Sequence, residues 1–230
     1  MSSRCLKSCF AAAIVVALLL LSTACVNPSS YHTARTVEPG ETEITVALAG
    51  MASTDDAVEG VRIHHPSLHL RRGLASQVDL GLSAGSLGTG VDVNFMAVDT
   101  DAFSLAVNPT ASVAGMREMF MGDSFREHFL LSMSYLGILA DIHATDDLTL
   151  TLGAKPGVVN TLFWGGGSGG SSTDRERETA LMFAGSLGAK IDLDGRHLFP
   201  EVNVVWIDDF DEGAPSDDGL TIIVGVGFGF

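Results

Sequence analysis

The chain ends in "TIIVGVGFGF", Thr221 to Phe230, and this alternation constrains the fold more than any other stretch. Ile222, Val224, Val226, Phe228 and Phe230 fall on one parity. Thr221, Gly225, Gly227 and Gly229 fall on the other, with Ile223 as the exception. Successive side chains of a β-strand point to opposite faces, so bulky and small residues separate onto the two sides of a sheet. One face meets something apolar, and the other meets something that leaves no room for bulk. The same period recurs from Glu43 onward, while helical periodicity is scarce. It runs through ten segments: 43–50, 61–70, 77–84, 90–98, 102–114, 127–142, 148–163, 179–193, 198–208 and 220–230. The 26 glycines also weigh against helices. Pro66 and Pro156 fall inside two segments and mark bulges or breaks there.

The connections are uneven. Odd-numbered ones are mostly long and acidic or glycine-rich, such as "MASTDDAVEG", "GMREMFMGDSFR", "WGGGSGGSSTDRERE" and "DFDEGAPSDDG". Even-numbered ones are short turns, and the third, "GSLGT", is short as well. Transmembrane barrels have short turns at one rim and long loops at the other, and an even strand count brings both chain ends to the short-turn rim.

Period two alone does not say which face is inside. The lean faces read Asp79-Gly81-Ser83, Asp92-Asn94-Met96 and Thr149-Thr151-Gly153-Lys155. They are too small and too sparsely charged for a solvated surface. The opposite faces, such as Val78-Leu80-Leu82 and Leu148-Leu150-Leu152, carry no charge over a band suited to a tilted strand in a thin bilayer. In hydrocarbon every backbone N–H and C=O must be paired within the protein, which leaves a closed barrel as the only non-helical solution. The expected fold is therefore all-β, an antiparallel up-and-down transmembrane β-barrel of about ten strands (eight to twelve) over residues 43–230. A soluble β-barrel or sandwich is the alternative. Glu43, Asp79 and Asp92 on early strands and Lys155 and Lys190 on later ones are expected as lumen charges that pair across a narrow interior. Such an interior is nearly filled by side chains and supports no large steady conductance.

The first 24 residues read as a secretory signal. Arg4 and Lys7 precede the apolar run Ala11 to Leu21, and small residues lead to Cys25. "LSTAC" resembles a bacterial lipobox, with Leu21 one place earlier than the usual leucine. That resemblance implies that Cys25 becomes a lipidated first residue; ordinary cleavage and an uncleaved anchor are the alternatives. Cys5, Cys9 and Cys25 are the only cysteines, so the exported part has no pair for a disulfide. The polar, turn-rich stretch that follows reads as a lipid-anchored periplasmic tether over 25–42. The formal net charge is −15, and loss of Arg4 and Lys7 makes it more negative, which argues against nucleic acid as a partner.

Three stretches carry a family resemblance: "ARTVEPGETEITVAL" at the barrel entrance, "RRGLASQVDLGLSAG" at the first short turn, and the terminal "VGVGFGF". The chain resembles small Gram-negative outer-membrane β-barrel proteins with a lipoprotein-type signal. The resemblance implies an outer-membrane location after export and a C-terminal assembly signal at Val224, Val226, Phe228 and Phe230. Its implied partners are the barrel-assembly machinery, lipoprotein-processing enzymes, outer-membrane lipid and lipopolysaccharide.

Candidate chemistry is thin. "GLSAG" (81–85) and "GGSGG" (166–170) match G-x-S-x-G around Ser83 and Ser168, but neither is followed by the helix that a nucleophile elbow needs. His128 with Asp123 and Ser124 is a further rim arrangement. His64, His65 and His69 in "HHPSLH" offer imidazoles, yet His64 and His65 point to opposite faces of a strand. Asp208, Asp209, Asp211, Glu212, Asp217 and Asp218 lack calcium-loop spacing and suit loose divalent cations at the outer loops. Trp164 and Trp206 suit an interfacial girdle. No catalytic or metal-binding set is assigned, no cofactor is named, and a non-enzyme is expected. The expected function is a structural, adhesive, narrow-pore or transport-accessory role. The alternatives are a periplasmic soluble barrel lipoprotein that binds an apolar ligand, and a barrel-embedded lipid hydrolase.

Overall fold

The computed structural model describes residues 29–53, 62–85, 88–117, 127–165, 175–209 and 219–230. They form ten strands: β1 (Thr42–Ser53), β2 (Arg62–Ala75), β3 (Val78–Gly85), β4 (Gly88–Asp99), β5 (Phe103–Arg117), β6 (Glu127–Thr145), β7 (Leu148–Gly165), β8 (Arg175–Asp192), β9 (His197–Asp209) and β10 (Gly219–Gly229). Each strand pairs antiparallel with its sequence neighbour, and β1 pairs with β10 to close the barrel. The fold is thus the closed ten-strand antiparallel barrel that the alternation calls for.

Closure leaves no edge strand, which is what an apolar surrounding demands. The outward parity forms an apolar belt. Leu48, Leu82, Val91, Phe95, Leu136, Leu152, Phe183, Val202 and Val224 are all exposed on it. The C-terminal strand follows its own alternation: Val224 is 54% exposed, while Ile223 is 2% exposed. Ile223 breaks the small-residue pattern because the lumen has an apolar layer at that height. It packs there with Ala49, Met133, Tyr135, Val159, Met182, Ala184 and Val205.

Several strands run further than the alternation alone suggests. Arg71 to Ala75, read as part of a turn, continue β2, so the turn shrinks to Ser76 and Gln77. β8 begins at Arg175, inside the charged end of a long connection. Pro66 is followed on β1 by a register shift between Ala49 and Gly50, and the β6–β7 ladder is interrupted opposite Pro156.

The largest departure from expectation is the segment read as a tether over 25–42. Residues 29–34 lie inside the barrel, and residues 35–41 lead out of it with Arg35 and Glu38 to Glu41 exposed. Ser29, Tyr31, His32, Thr33 and Ala34 are buried. The chain returns to the short-turn rim at Pro39, which bridges Gly73, and enters β1. The segment is polar and turn-rich because its backbone is bonded by lumen side chains rather than by a sheet.

Candidate functional site

The site is the lumen, built from the inward parity of the strands and from residues 29–41. Three carboxylates on different strands hold the backbone of that segment. Glu201 on β9 accepts from the amides of Ser30 (3.2 Å) and Tyr31 (2.8 Å). Asp141 on β6 accepts from the amides of Ala34 (2.8 Å) and Arg35 (3.3 Å) and from the Thr151 hydroxyl (2.8 Å). Asp79 on β3 accepts from the amide of Val37 at 3.1 Å. A buried N–H without a partner is costly, and so is a buried carboxylate. Each set satisfies the other. Asn94 Nδ2 donates to the Ala34 carbonyl at 3.1 Å, and Asn203 Nδ2 donates to Ser29 Oγ at 2.9 Å.

Cations complete the network. Arg71 pairs with Asp79 and, at 2.5 Å, with Asp92. Asn108 Nδ2 adds a 2.8 Å bond to the same Asp92 oxygen. Lys155, fully buried, lies 3.4 Å from Glu201 and 3.3 Å from Asn203 Oδ1. Nearer the rim Lys190 is 3.8 Å from Glu43, and His197 is 3.7 Å from the other oxygen of Glu43. His32, on the lumen segment, is buried, with Nδ1 2.9 Å from the Thr33 carbonyl oxygen.

The bare face of β10 has a physical reason. A Cβ on Gly225 would overlap the Tyr31 hydroxyl, and one on Gly227 would lie 3.3 Å from Tyr31 Cβ and 2.8 Å from Thr45 Cγ2. A Cβ on Gly229 would overlap the His197 ring. The glycines make a socket for Tyr31, whose ring also meets His69 edge-on at 5.2 Å between centroids.

The five charges expected in the lumen occupy it as follows. Asp79, Asp92 and Lys155 belong to the central network, and Glu43 and Lys190 meet near the short-turn rim. Their partners Arg71 and Glu201, and the Asp141 that holds the lumen segment, were not singled out from the sequence. Arg71 was hidden in an apparent turn. Asp141 and Glu201 stand on the inward parity of their strands and could have been found by extending the face reading to β6 and β9. On the opposite face, Val224, Val226, Phe228 and Phe230 line the outer side of β10, with the two phenylalanine rings 6.3 Å apart.

The other candidates separate. Ser83 stands inside β3 opposite His69 and Gly90, and the strand continues to Gly85, so no elbow forms there. His69 Nε2 is 2.9 Å from Ser67 Oγ. Cys25, Asp123, Ser124, Ser168, Asp211, Glu212, Asp217 and Asp218 lie outside the described residues, as do the side chains of His64, His65, His128, Trp164 and Asp209. Among the described residues no group of three or more His, Cys, Asp or Glu is placed to hold a metal ion.

No family model matches the chain. No protein of curated function is similar to it in sequence. Solved structures are similar in fold. The outer membrane protease OmpT from Escherichia coli covers 87% of this chain and 99% of its own, at 9% identity and a TM-score of 0.51. The translocator domain of the autotransporter NalP from Neisseria meningitidis covers 82% and 88%, at 14% identity and 0.49. The attachment invasion locus protein Ail of Yersinia pestis covers 84% and 99%, at 11% identity and 0.41. At these identities the likeness is one of fold.

Proposed function

We propose that the chain is an outer-membrane β-barrel protein whose lumen is sealed by its own N-terminal segment, and that it acts as an embedded structural platform for its long loops. The observation that carries this reading is the occupied lumen. Residues 30–37 are bonded to Glu201, Asp141 and Asp79 on three sides of the interior, and an apolar layer around Ile223 fills the level above. A general pore needs a continuous aqueous path, which this packing opposes.

The membrane location is supported by the apolar belt and the absence of a sheet edge. The soluble alternative would place its apolar faces inside, around a ligand cavity. Here they are outside, and the interior is taken up by the protein's own residues. In this reading the outward residues Val224, Val226, Phe228 and Phe230 serve as the assembly signal. Cys25 is the processed, lipid-bearing N-terminus, on the strength of the charged, apolar, small-residue order before it. Divalent cations are the partners that the acidic long connections suit, and through such cations the anionic lipopolysaccharide around them.

Planar-bilayer recording on the purified full-length protein tests the proposal. The expected result is an absence of stable openings of general-porin size. Such openings in the intact protein would refute the sealed lumen.

A further inference from the structure

Two interruptions in the strand ladder lie at one level of the wall. Between β4 and β5 the register runs to Asp92 with Thr110 and resumes at Phe95 with Val107, so Val93 and Asn94 are unpaired to Pro109 and Asn108. Between β6 and β7 it stops at Tyr135 with Gly157 and resumes at Ile138 with Ala154, passing over Pro156 and Lys155. The ladder between β5 and β6 is continuous and pairs Pro109 with Leu136. Val93, Pro109, Leu136 and Pro156 therefore form one outward row across four strands.

Each proline lacks the N–H that a ladder bond needs. The lumen repairs one of the two losses, since Asn108 Nδ2 donates to the Val93 carbonyl at 3.3 Å. A further interruption at Pro200, between β8 and β9, lies nearer the short-turn rim and away from this row. Missing ladder bonds in an apolar surrounding are costly. Two at the same height, on either side of one hairpin, mark a place where the wall is built to be loose.

The row lies in a shallow, open apolar groove on the outer wall, lined by Val91, Val93, Pro109, Ala111, Leu136 and Val158 among others. Asp92, Thr110 and Tyr135 line both this groove and a polar cavity of about 60 Å³ on the lumen side. The wall between the two is the sheet itself, one strand layer thick, with ladder bonds missing at this height on both sides of the β5–β6 pair. The cavity also presents His69, Ser83 and Ser112, and the buried Ser112 Oγ has no hydrogen-bond partner among the described residues.

We propose that this seam is a lateral portal that holds one single-chain membrane amphiphile, with its hydrocarbon chain in the groove and an uncharged, hydroxyl-bearing head in the polar cavity. The inference rests on the membrane reading above, because the groove is continuous with the apolar belt and faces whatever the belt faces. The head is uncharged for an electrostatic reason. Asp92 borders the cavity, no Arg or Lys lines it, and Arg71 is already engaged by Asp79 and Asp92. An anionic head would meet a carboxylate without a compensating cation. The hydroxyl groups of a monoacylglycerol have donors and acceptors to offer Ser112, Ser83 and His69.

The test uses the full-length protein in phosphatidylcholine vesicles. The probes are a monoacylglycerol with a photoreactive group in its chain and a fatty acid carrying the same chain. Cross-links mapped by mass spectrometry are expected to concentrate on the Val93, Pro109, Leu136 and Pro156 row, and to be stronger for the monoacylglycerol. They are expected to be lost in the Pro109→Val/Pro156→Val variant, where valine restores the missing N–H groups and closes the ladder. Insertion is followed in parallel by the gel heat-shift, which the variant should retain. Inserted protein whose labelling is even around the belt, unchanged in the variant, or equal for the fatty acid overturns the portal and leaves the membrane reading standing. Failure of the wild-type chain to insert overturns both.

Discussion

Replacing Glu201 by Ala should release the segment that fills the lumen. Glu201 is 4% exposed and receives the Ser30 and Tyr31 amides, Lys155 Nζ and Asn203 Nδ2. Its loss takes the carboxylate from Lys155, which has no exposure and keeps Asn203 Oδ1, and leaves two amides without their acceptor. Breaking a buried ion pair from one side costs about 3–5 kcal/mol, because the remaining charge is left uncompensated. A hydrogen bond to a charged group contributes about 1.5–3 kcal/mol, and the two amide bonds overlap with the ion-pair loss, so the sum is not additive. A total of about 4–6 kcal/mol is comparable to the stability of a whole domain. The chain has a cheaper outcome than global unfolding, which is to let residues 29–37 leave the lumen and admit water. The assays are urea unfolding in vesicles, read by tryptophan fluorescence, and single-channel recording. Glu201→Ala should lower the unfolding midpoint and produce small intermittent openings. Glu201→Gln keeps an acceptor but not the charge, and should fall between. Adding Lys155→Met to Glu201→Gln removes the cation that loses its counter-charge and should recover much of the loss. An unchanged midpoint and a silent bilayer for Glu201→Ala would refute the idea that this carboxylate pins the segment.

The two faces of β10 give a second prediction. Val224→Arg places a charge on the outward belt and should cost about 2–4 kcal/mol if Val224 lies near mid-depth. Gly225→Ala should also impair folding, since its methyl overlaps the Tyr31 hydroxyl and crowds the ring carbons, and Tyr31→Phe in the same chain should relieve only part of it. A Gly225→Ala protein that folds like the wild type would mean that Tyr31 is not seated in the socket. For the leader, mass spectrometry of the mature protein should find a lipid-modified Cys25, and an unmodified start at any other residue would refute that assignment.

Strand count and facing were legible because a period of two is a local property of the chain. The outward belt from Val46 to Phe228 and the bare face of Gly225, Gly227 and Gly229 follow from parity alone. Strand ends were less legible, since Arg71 and Arg175 look like loop residues until their register partners are known. The lumen segment was not legible at all. Its contacts join Ser30 to Glu201, Ala34 to Asp141 and Val37 to Asp79, at sequence separations of 171, 107 and 42. A stretch whose backbone is satisfied by distant side chains leaves no periodic signal. It reads as a linker because the features that suit it to the lumen, small size, turns and free N–H groups, are also those of a tether.

The socket for Tyr31 also bears on the order in which the protein assembles. The segment that fills the lumen is contiguous with β1, while the glycines that receive it belong to β10, the strand that closes against β1. Seating and closure therefore involve the first and last parts of the chain at once. A barrel that closed empty would enclose Glu201 and Asp141 without the amides that satisfy them, and the filled apolar layer around Ile223 would then obstruct later entry from the long-loop side. A barrel that closed with the segment in place would have its final strand lying flat over the Tyr31 ring. The fit of β10 thus depends on Tyr31 lying in place beneath Gly225 and Gly227, so the last strand carries the imprint of the first residues of the barrel region.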